Sequence, residues 1–314
     1  MTTPSRFCQW LIAITVVFAV MGTSPLAAFE MKQVTPGLFV HFGVHEDIAR
    51  KNQGDIANIG FIVGEKAVAV IDTGGSFVVG SKLRAAIRRQ TDLPIRYVIL
   101  THVHPDHIFG AAAFVQDNPV FIGHENLVNA LAARGEFYLK RLEGELLGGE
   151  LSAGTIVPKI SKTVKIDQDF EINLGNRRLT LRAHPSAHTD NDLTIFDHST
   201  GTLWLADLLF RDRIPRVDGS ITGWIKVLDD LTRQDVRLAI PGHGPVSDRW
   251  PQTLTKHRKY LSAVVAGVRR ILKAGGSLQK ATKDVGWDMQ SNWELFAEFH
   301  PGNVTAAFVE LEWE

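Results

Sequence analysis

The sequence predicts an α/β protein with two sheets face to face and helices on both outer sides, a four-layer αββα sandwich with a helical C-terminal extension. Two observations carry this. Short apolar runs rich in β-branched residues, each closed by a turn signal, fall into two blocks, one from Val34 and one from about Thr163. Helix-like spacing lies between strands of the first block and takes over after Gln252.

Residues 1–28 are a different material. Arg6 supplies a positive start, Trp10 to Met21 is almost unbroken apolar sequence, Gly22-Thr23-Ser24-Pro25 breaks it, and Leu26-Ala27-Ala28 offers small residues for cleavage. This is a secretory signal pattern, so a periplasmic or secreted protein is expected. The apolar stretch is short of the ~20 residues a membrane span needs. No stable membrane insertion is expected after cleavage, an uncleaved N-terminal anchor being the alternative. Residues 29–251 form the main domain, and 252–314 a helical segment packed on it.

In the first block, Gly37–His41, Asn58–Val63 and Ala67–Ile71 read as strands, the last closed by Asp72-Thr73-Gly74-Gly75. Gly80 to Arg89 is helix-like, with Leu83 and Ile87 one turn apart and basic residues near its C-terminal end. Ile95–Leu100 is a strand, a helix runs from about Ile108 through Phe114, and Val120–Gly123 is a strand ending at His124. Residues 125–160 are helical and then loose, broken at Gly148-Gly149 and Gly154. The second block holds strands at Phe170–Leu174, Arg178–Ala183, Leu193–Asp197, Thr202–Ala206 and Val236–Ile240. Beyond Gln252, Leu261, Val264, Val265, Val268 and Leu272 recur at helical spacing.

The 314 residues are 45% hydrophobic and 22% charged, as in an ordinary globular protein. Lys+Arg and Asp+Glu both total 34, so there is no electrostatic case for nucleic acid or an anionic membrane surface. A small-molecule substrate is the expected partner. The single cysteine, Cys8, lies in the signal segment. The mature chain therefore has no disulfide, no thiolate ligand and no cysteine nucleophile, and a metal must be held by nitrogen and oxygen.

Such a metal is expected. Thr101-His102-Val103-His104-Pro105-Asp106-His107 places three imidazoles and a carboxylate within six positions at the carboxyl end of a strand. On extended backbone, His102 and His104 point the same way and can grip one ion. Asp106 and His107 follow a proline turn and can face a second. Three residues at the ends of other predicted strands fit the cluster: His188 in Ala-His-Thr-Asp-Asn-Asp, Asp207 at the tip of the apolar Leu203–Ala206 run, and His243 between two glycines.

These motifs in this order, with Val70-Ile71-Asp72-Thr73-Gly74 ahead of them, resemble the metallo-β-lactamase superfamily over roughly residues 34–250. The resemblance implies the αββα sandwich and a dinuclear centre: one metal on His102, His104 and His188, the other on Asp106, His107 and His243, Asp207 bridging. Asp72 would orient a ligand rather than bind metal. Two Zn(2+) suit such a donor set, and iron or manganese fit it as well. Two cations about 3.5–4 Å apart turn a bridging water into a hydroxide nucleophile near neutral pH and polarise the electrophile, with the leaving group protonated through Asp106.

The implied activity is hydrolysis of a small ester, thioester, lactone or related bond. Asp207 argues against a β-lactamase, where Cys, Ser or another residue is usual, and His107 with Gly-His-Gly argues against a mononuclear iron persulfide dioxygenase. A metal-binding accessory protein of a periplasmic redox relay is the non-enzymatic alternative. A narrower resemblance, carried by Gly54–Gly60, Thr73–Ser76, Ala187–Leu193 and Asp218–Trp224, is to SoxH-type quinoprotein relay system zinc metallohydrolases. It implies export and a functional link to quinoprotein dehydrogenase or cytochrome c. His124 reads as a helix cap or surface residue, with the site rim as the alternative. His41 and His45 are weaker candidates for a substrate mouth. Arg213, Arg216 and Lys226 read as a solvated charged face, with an anionic-substrate contact as the alternative. Trp287, Trp293 and Trp313 read as packing.

Overall fold

The computed structural model describes residues 29–314, so the expected signal segment with Cys8 lies outside the described residues. Among the described residues the strands make a seven-stranded sheet in the order β1 to β7 and a five-stranded sheet in the order β12-β11-β10-β9-β8. The first holds β1 (Lys32–Thr35), β2 (Leu38–His41), β3 (Ile59–Val63), β4 (Val68–Ile71), β5 (Ile95–Ile99), β6 (Val120–His124) and β7 (Lys162–Val164). It is antiparallel through β4 and parallel from β4 to β7. The second holds β8 (Phe170–Asn173), β9 (Arg178–Ala183), β10 (Leu193–Asp197), β11 (Thr202–Phe210) and β12 (Leu238–His243), with only β11 and β12 parallel.

Three apolar layers separate four structural ones. Val40, Ile62, Ile71 and Ile99 of the first sheet meet Leu181, Ile195, Trp204 and Ile240 of the second. Phe61, Val70 and Val98, on the other face of the first sheet, pack on α1 (Phe77–Gln90) and α3 (Leu127–Arg141) through Leu83, Ile87, Leu127 and Leu131. Leu203, Leu205 and Ala239 of the second sheet carry α5 (Ile221–Leu231), α6 (Thr255–Lys273) and α8 (Phe296–Leu311) through Trp224, Leu261, Val264, Val304 and Phe308. Strands buried on both faces explain why β4 and β11 read as continuous apolar runs rather than alternating ones.

The sequence reading needs three corrections. The helix expected through Phe114 is instead a single turn, α2 (Pro105–Ile108), followed by a 3-10 segment, Ala111–Asp117. The break is at Gly110, whose N–H goes to the Gly74 carbonyl and whose missing Cβ would lie 1.9 Å from the Thr73 oxygen. Secondly, β7 near Thr163 closes the first sheet rather than opening the second. Thirdly, β11 runs on to Phe210, so Asp207 lies within a strand. Ala206 has φ of 46°, and the pairing with β12 shifts register on either side of it, which turns Asp207 out of the regular pleat.

The C-terminal helices are tied to the rest by polar contacts as well as packing. Glu310 on α8 accepts from the N–H groups of Ile221 and Thr222 and from both the Ser220 and Thr222 hydroxyls, capping α5 from outside. His257 on α6 accepts the Phe210 N–H at Nδ1. Arg177, buried, pairs with Asp197 and donates to the carbonyls of Pro36 and Val63, joining the second sheet to the first. Trp287 and Trp293 pack against α6 and α8, whereas Trp313 is 86% exposed and contributes no packing.

Arg177→Met, which leaves Asp197 buried without its cation, should lower unfolding free energy in urea by roughly 3–5 kcal/mol. The double variant Arg177→Met/Asp197→Leu should recover much of that loss, and no recovery would mean that packing rather than charge carries the effect. Burial pushes the imidazoles of both His184 and His257 down to about 3. The unfolded chain therefore binds more protons between pH 3 and 6.5, and stability should fall as pH drops through that window. With chelator present, the fall in Tm should be shallower in His257→Gln than in the parent.

Candidate metal centre

Seven buried side chains converge at the carboxyl ends of the strands. His102, His104, His188 and Asp207 bring one donor atom each within 4.8 Å of one another, and Asp106, His107 and His243 do the same. The Thr101–His107 loop leaves β5, the His188 loop joins β9 to β10, and Asp207 and His243 come from the neighbouring strands β11 and β12. Both sheets therefore contribute. All seven of the predicted metal residues are in these two groups.

Each imidazole is held from behind. His102 Nδ1 donates to the Thr101 hydroxyl, whose own proton goes to Asp72. His104 Nε2 donates to Asp218 at 3.0 Å. His107 Nδ1 donates to Asp72 at 2.8 Å, His188 Nδ1 to the Arg216 carbonyl at 2.6 Å and His243 Nδ1 to the Ile56 carbonyl at 2.8 Å. Committing one nitrogen to a proton leaves the other to present a lone pair whenever the ring is neutral, and all five of these second nitrogens point inward. There His188 Nε2 lies 3.0 Å and His102 Nε2 3.2 Å from His104 Nδ1, each pair without a proton to share. His107 Nε2 and Asp207 Oδ1 are buried with no hydrogen-bond partner. Crowded, unpaired donors of nitrogen and oxygen are what a divalent cation satisfies, so the residues fit the group that the loop chemistry calls for.

Asp207 lies between the two groups. Its Oδ1 is 3.1 Å from His107 Nε2, and its Oδ2 is 3.3 Å from His188 Nε2 and 3.4 Å from His243 Nε2. That position exists because residue 242 is glycine, since a Cβ there would sit 1.8 Å from Asp207 Oδ1. Asp72, at the tip of β4, takes a left-handed φ of 55°, a conformation costing about 1–2 kcal/mol in a residue with a side chain. Its carboxylate is anchored by the Thr101 N–H and hydroxyl, both at 2.8 Å, as well as by His107. Asp72 thus orients His107 and touches none of the inward-facing donors.

The electrostatics have one pattern. Burial disfavours charge everywhere in the site, holding His102 well below the usual imidazole range and His104 down to about 4. Burial acts on His107 too, but Asp207, Asp106 and Asp72 outweigh it and raise that imidazole well above its ordinary value. Asp207 is the complement: burial pushes it up, yet His107, His243 and His102 hold it well below the carboxylate range. Without a cation the site keeps its carboxylates ionised by keeping protons on imidazole, so metal binding must displace protons.

A cavity of about 440 Å³ opens onto Asp106, Asp207, His104, His188 and His243. Its walls include Ile48 on one side, Tyr138 and Arg141 on α3 with Leu146 just after it, and Phe299 and Asn303 on α8. Of the other sequence candidates, Arg213 and Arg216 also line it and the rest lie elsewhere. His124 is buried, donates to the His184 carbonyl and accepts the Asn126 N–H, as a helix-start residue does. His41 faces Asp55 and His45 faces Glu294, and neither lines this cavity. Lys226 is exposed on α5, but Arg213 is buried and lines the cavity, which corrects its reading as a solvated residue. Sequence reasoning missed Asp218, whose partner His104 is 114 residues away, and the α8 wall.

The family model for the metallo-beta-lactamase superfamily matches residues 52–243. A linear primary-alkylsulfatase from Pseudomonas sp. (strain ATCC 19151) is 39% identical over 216 residues, covering 59% of this chain and 41% of its own length. This chain therefore spans less than half of that relative. Two solved structures share the fold: a metallo-beta-lactamase from Pontibacter korlensis, TM-score 0.58 at 15% identity over 74% of this chain and 98% of its own, and one from Hirschia baltica, TM-score 0.57 at 16% identity over 74% and 97%.

Asp72→Asn should keep the fold yet weaken metal binding about 10–100-fold in chelator competition, because the amide no longer fixes the His107 proton as a carboxylate does. Asp207→Ala should lower the metal content per chain. Parent-like metal content in Asp207→Ala would rule out its shared position between the two groups as a ligand.

Proposed function

The chain belongs to the metallo-beta-lactamase superfamily, as a metal-dependent hydrolase with two buried metal-binding residue groups, and from that premise we propose that it is an exported dinuclear zinc hydrolase of a small ester, thioester, lactone or related substrate. The observation that carries the reading is the set of five inward lone pairs plus Asp106 and Asp207, split three and three around one shared carboxylate. His102, His104 and His188 would hold one ion, Asp106, His107 and His243 the other, with Asp207 between them. Zinc in such a pair supplies Lewis acidity and, near neutral pH, a nucleophile derived from water.

The protein's own part is positional. The hydrogen bonds behind the imidazoles keep their orientation fixed through the reaction, so little reorganisation accompanies charge development. Asp106 lines the cavity with Oδ2 3.5 Å from His243 Nε2 and 3.6 Å from His107 Nε2, on the side of the other donors, which would leave its second oxygen to pass a proton to the departing group. Phe299, Leu146 and Tyr138 narrow the approach and restrict water. Export rests on the signal pattern of residues 1–28, and the link to a quinoprotein dehydrogenase or cytochrome c rests on the narrower sequence resemblance. A second reading, a sulfate ester as substrate, is favoured by the 39% identity to the alkylsulfatase. The β-lactamase neighbours, at 15 and 16% identity, bear on the fold alone.

Purified full chain should carry two zinc ions by elemental analysis and hydrolyse at least one member of a panel of thioesters, lactones, carboxylate esters and alkyl sulfates. Asp106→Asn should lower kcat by at least about 100-fold, the scale of a lost proton transfer. One iron per chain with persulfide oxidation would overturn the proposal, and fractionation of expressing cells tests export separately.

A further inference from the structure

Arg213 is a buried cation without a direct ion-pair partner among the described residues. It is 7% exposed, and among the described residues no carboxylate lies within 4.0 Å of its guanidinium. Its Nε has no hydrogen-bond partner. The one polar side-chain contact, Nη1 to His243 Nδ1 at 3.2 Å, joins two donors, because that Nδ1 already gives its proton to the Ile56 carbonyl. The guanidinium is instead held by shape, lying over the Phe299 ring at 5.3 Å, and it opens into the cavity beside Asp106, Asp207 and His243. Arg216 lines the same cavity and has no ion-pair partner among the described residues, whereas Arg141 and Arg134 pair with Glu145 and Asp218.

A buried, unpaired charge costs several kcal/mol, a cost that a group pairing with it from outside the resting protein would relieve. Of the carboxylates whose charge reaches it, Asp106 and Asp207 face the inward imidazoles and Asp47, which also lines the cavity, accepts from the Ile48 N–H without pairing with Arg213; cations bound at the imidazoles would turn that side of the cavity positive as well. The planar fork of Arg213 offers parallel N–H donors, the geometry that matches two oxygens of one oxyanion.

Resting on the metallohydrolase reading, we propose that Arg213 is the substrate's anion receptor, and that the substrate carries a carboxylate or sulfate oxyanion within reach of the metal groups. The receptor is built jointly by β11's exit and the C-terminal helix, since Phe299 fixes the plane of the guanidinium. Neutral esters and lactones are then poor substrates. The oxyanion belongs either to a sulfate ester, next to the bond cleaved, or to a carboxylate elsewhere on an acyl or lactone substrate.

The test is calorimetric titration of zinc-loaded full chain with inorganic sulfate and with propionate, for the parent, Arg213→Met and Arg213→Lys. Arg213→Met should retain zinc, keep or raise Tm because an unpaired charge is gone, and bind the preferred anion at least about tenfold more weakly, as expected for losing a charge-assisted pair. Arg213→Lys should recover part of the affinity but not the fork's share. Preference for sulfate in the parent assigns a sulfate ester, and preference for propionate a carboxylate-bearing substrate. Parent-like anion binding in Arg213→Met, or no binding of either anion by zinc-loaded parent, overturns the proposal. A chain that takes up no zinc defeats the metallohydrolase reading instead, a result visible before any anion is added. If Arg213→Met does not fold, a parent-like anion affinity in Arg213→Lys together with Phe299→Ala overturns it equally.

Discussion

Lone-pair repulsion is the force this structure is organised against. Five imidazole nitrogens and two carboxylates face one another in a dry interior, where like charge and unshared electron pairs are poorly screened. Without a cation the cluster has little more than protonated imidazole facing carboxylate, His107 against Asp207 and Asp106, to draw it together. It is held from outside, by Asp72, Asp218, the Thr101 hydroxyl and the backbone carbonyls of Ile56 and Arg216. Those tethers come from β4, from the Asp218 loop, and from chain on either side of the sandwich, so the two sheets must be in register before the donors can converge.

That requirement explains details that are costly taken alone. Asp72 and Ala206 sit at left-handed φ, and Asp207 is pressed against Gly242. Gly110, threaded against Thr73, breaks a helix that the local sequence otherwise favours. Each concession brings a donor or its tether to the cluster, in keeping with strain being concentrated where function sets the geometry.

Much of this was legible in the sequence, for reasons of period and composition. Doubly buried strands announced themselves as unbroken apolar runs, and the dense run from His102 to His107 has no common explanation but metal. His188, Asp207 and His243 were found because strand ends in α/β folds converge on one edge. What stayed hidden depends on contacts without a local signature. Asp218 looked like any turn aspartate, although it lay within a stretch that carried the narrower resemblance. Arg213 looked solvated because charge beside proline and aspartate usually is. Its burial comes from α8, far along the chain, and no periodicity encodes that. The sheet membership of β7 was misjudged because three residues carry too little pattern to choose a partner.

The wall formed by Phe299 and Asn303 has a further consequence. The stretch shared with the superfamily stops at residue 243, at the last imidazole, while one side of the cavity comes from helices that follow it. Part of what the cavity admits is thus written outside the stretch that carries the reaction centre. Descendants of this chain can change what they admit by altering a terminal appendage, leaving the inherited reaction centre untouched. Relatives aligned by their histidines alone would then share a mechanism while disagreeing about diet.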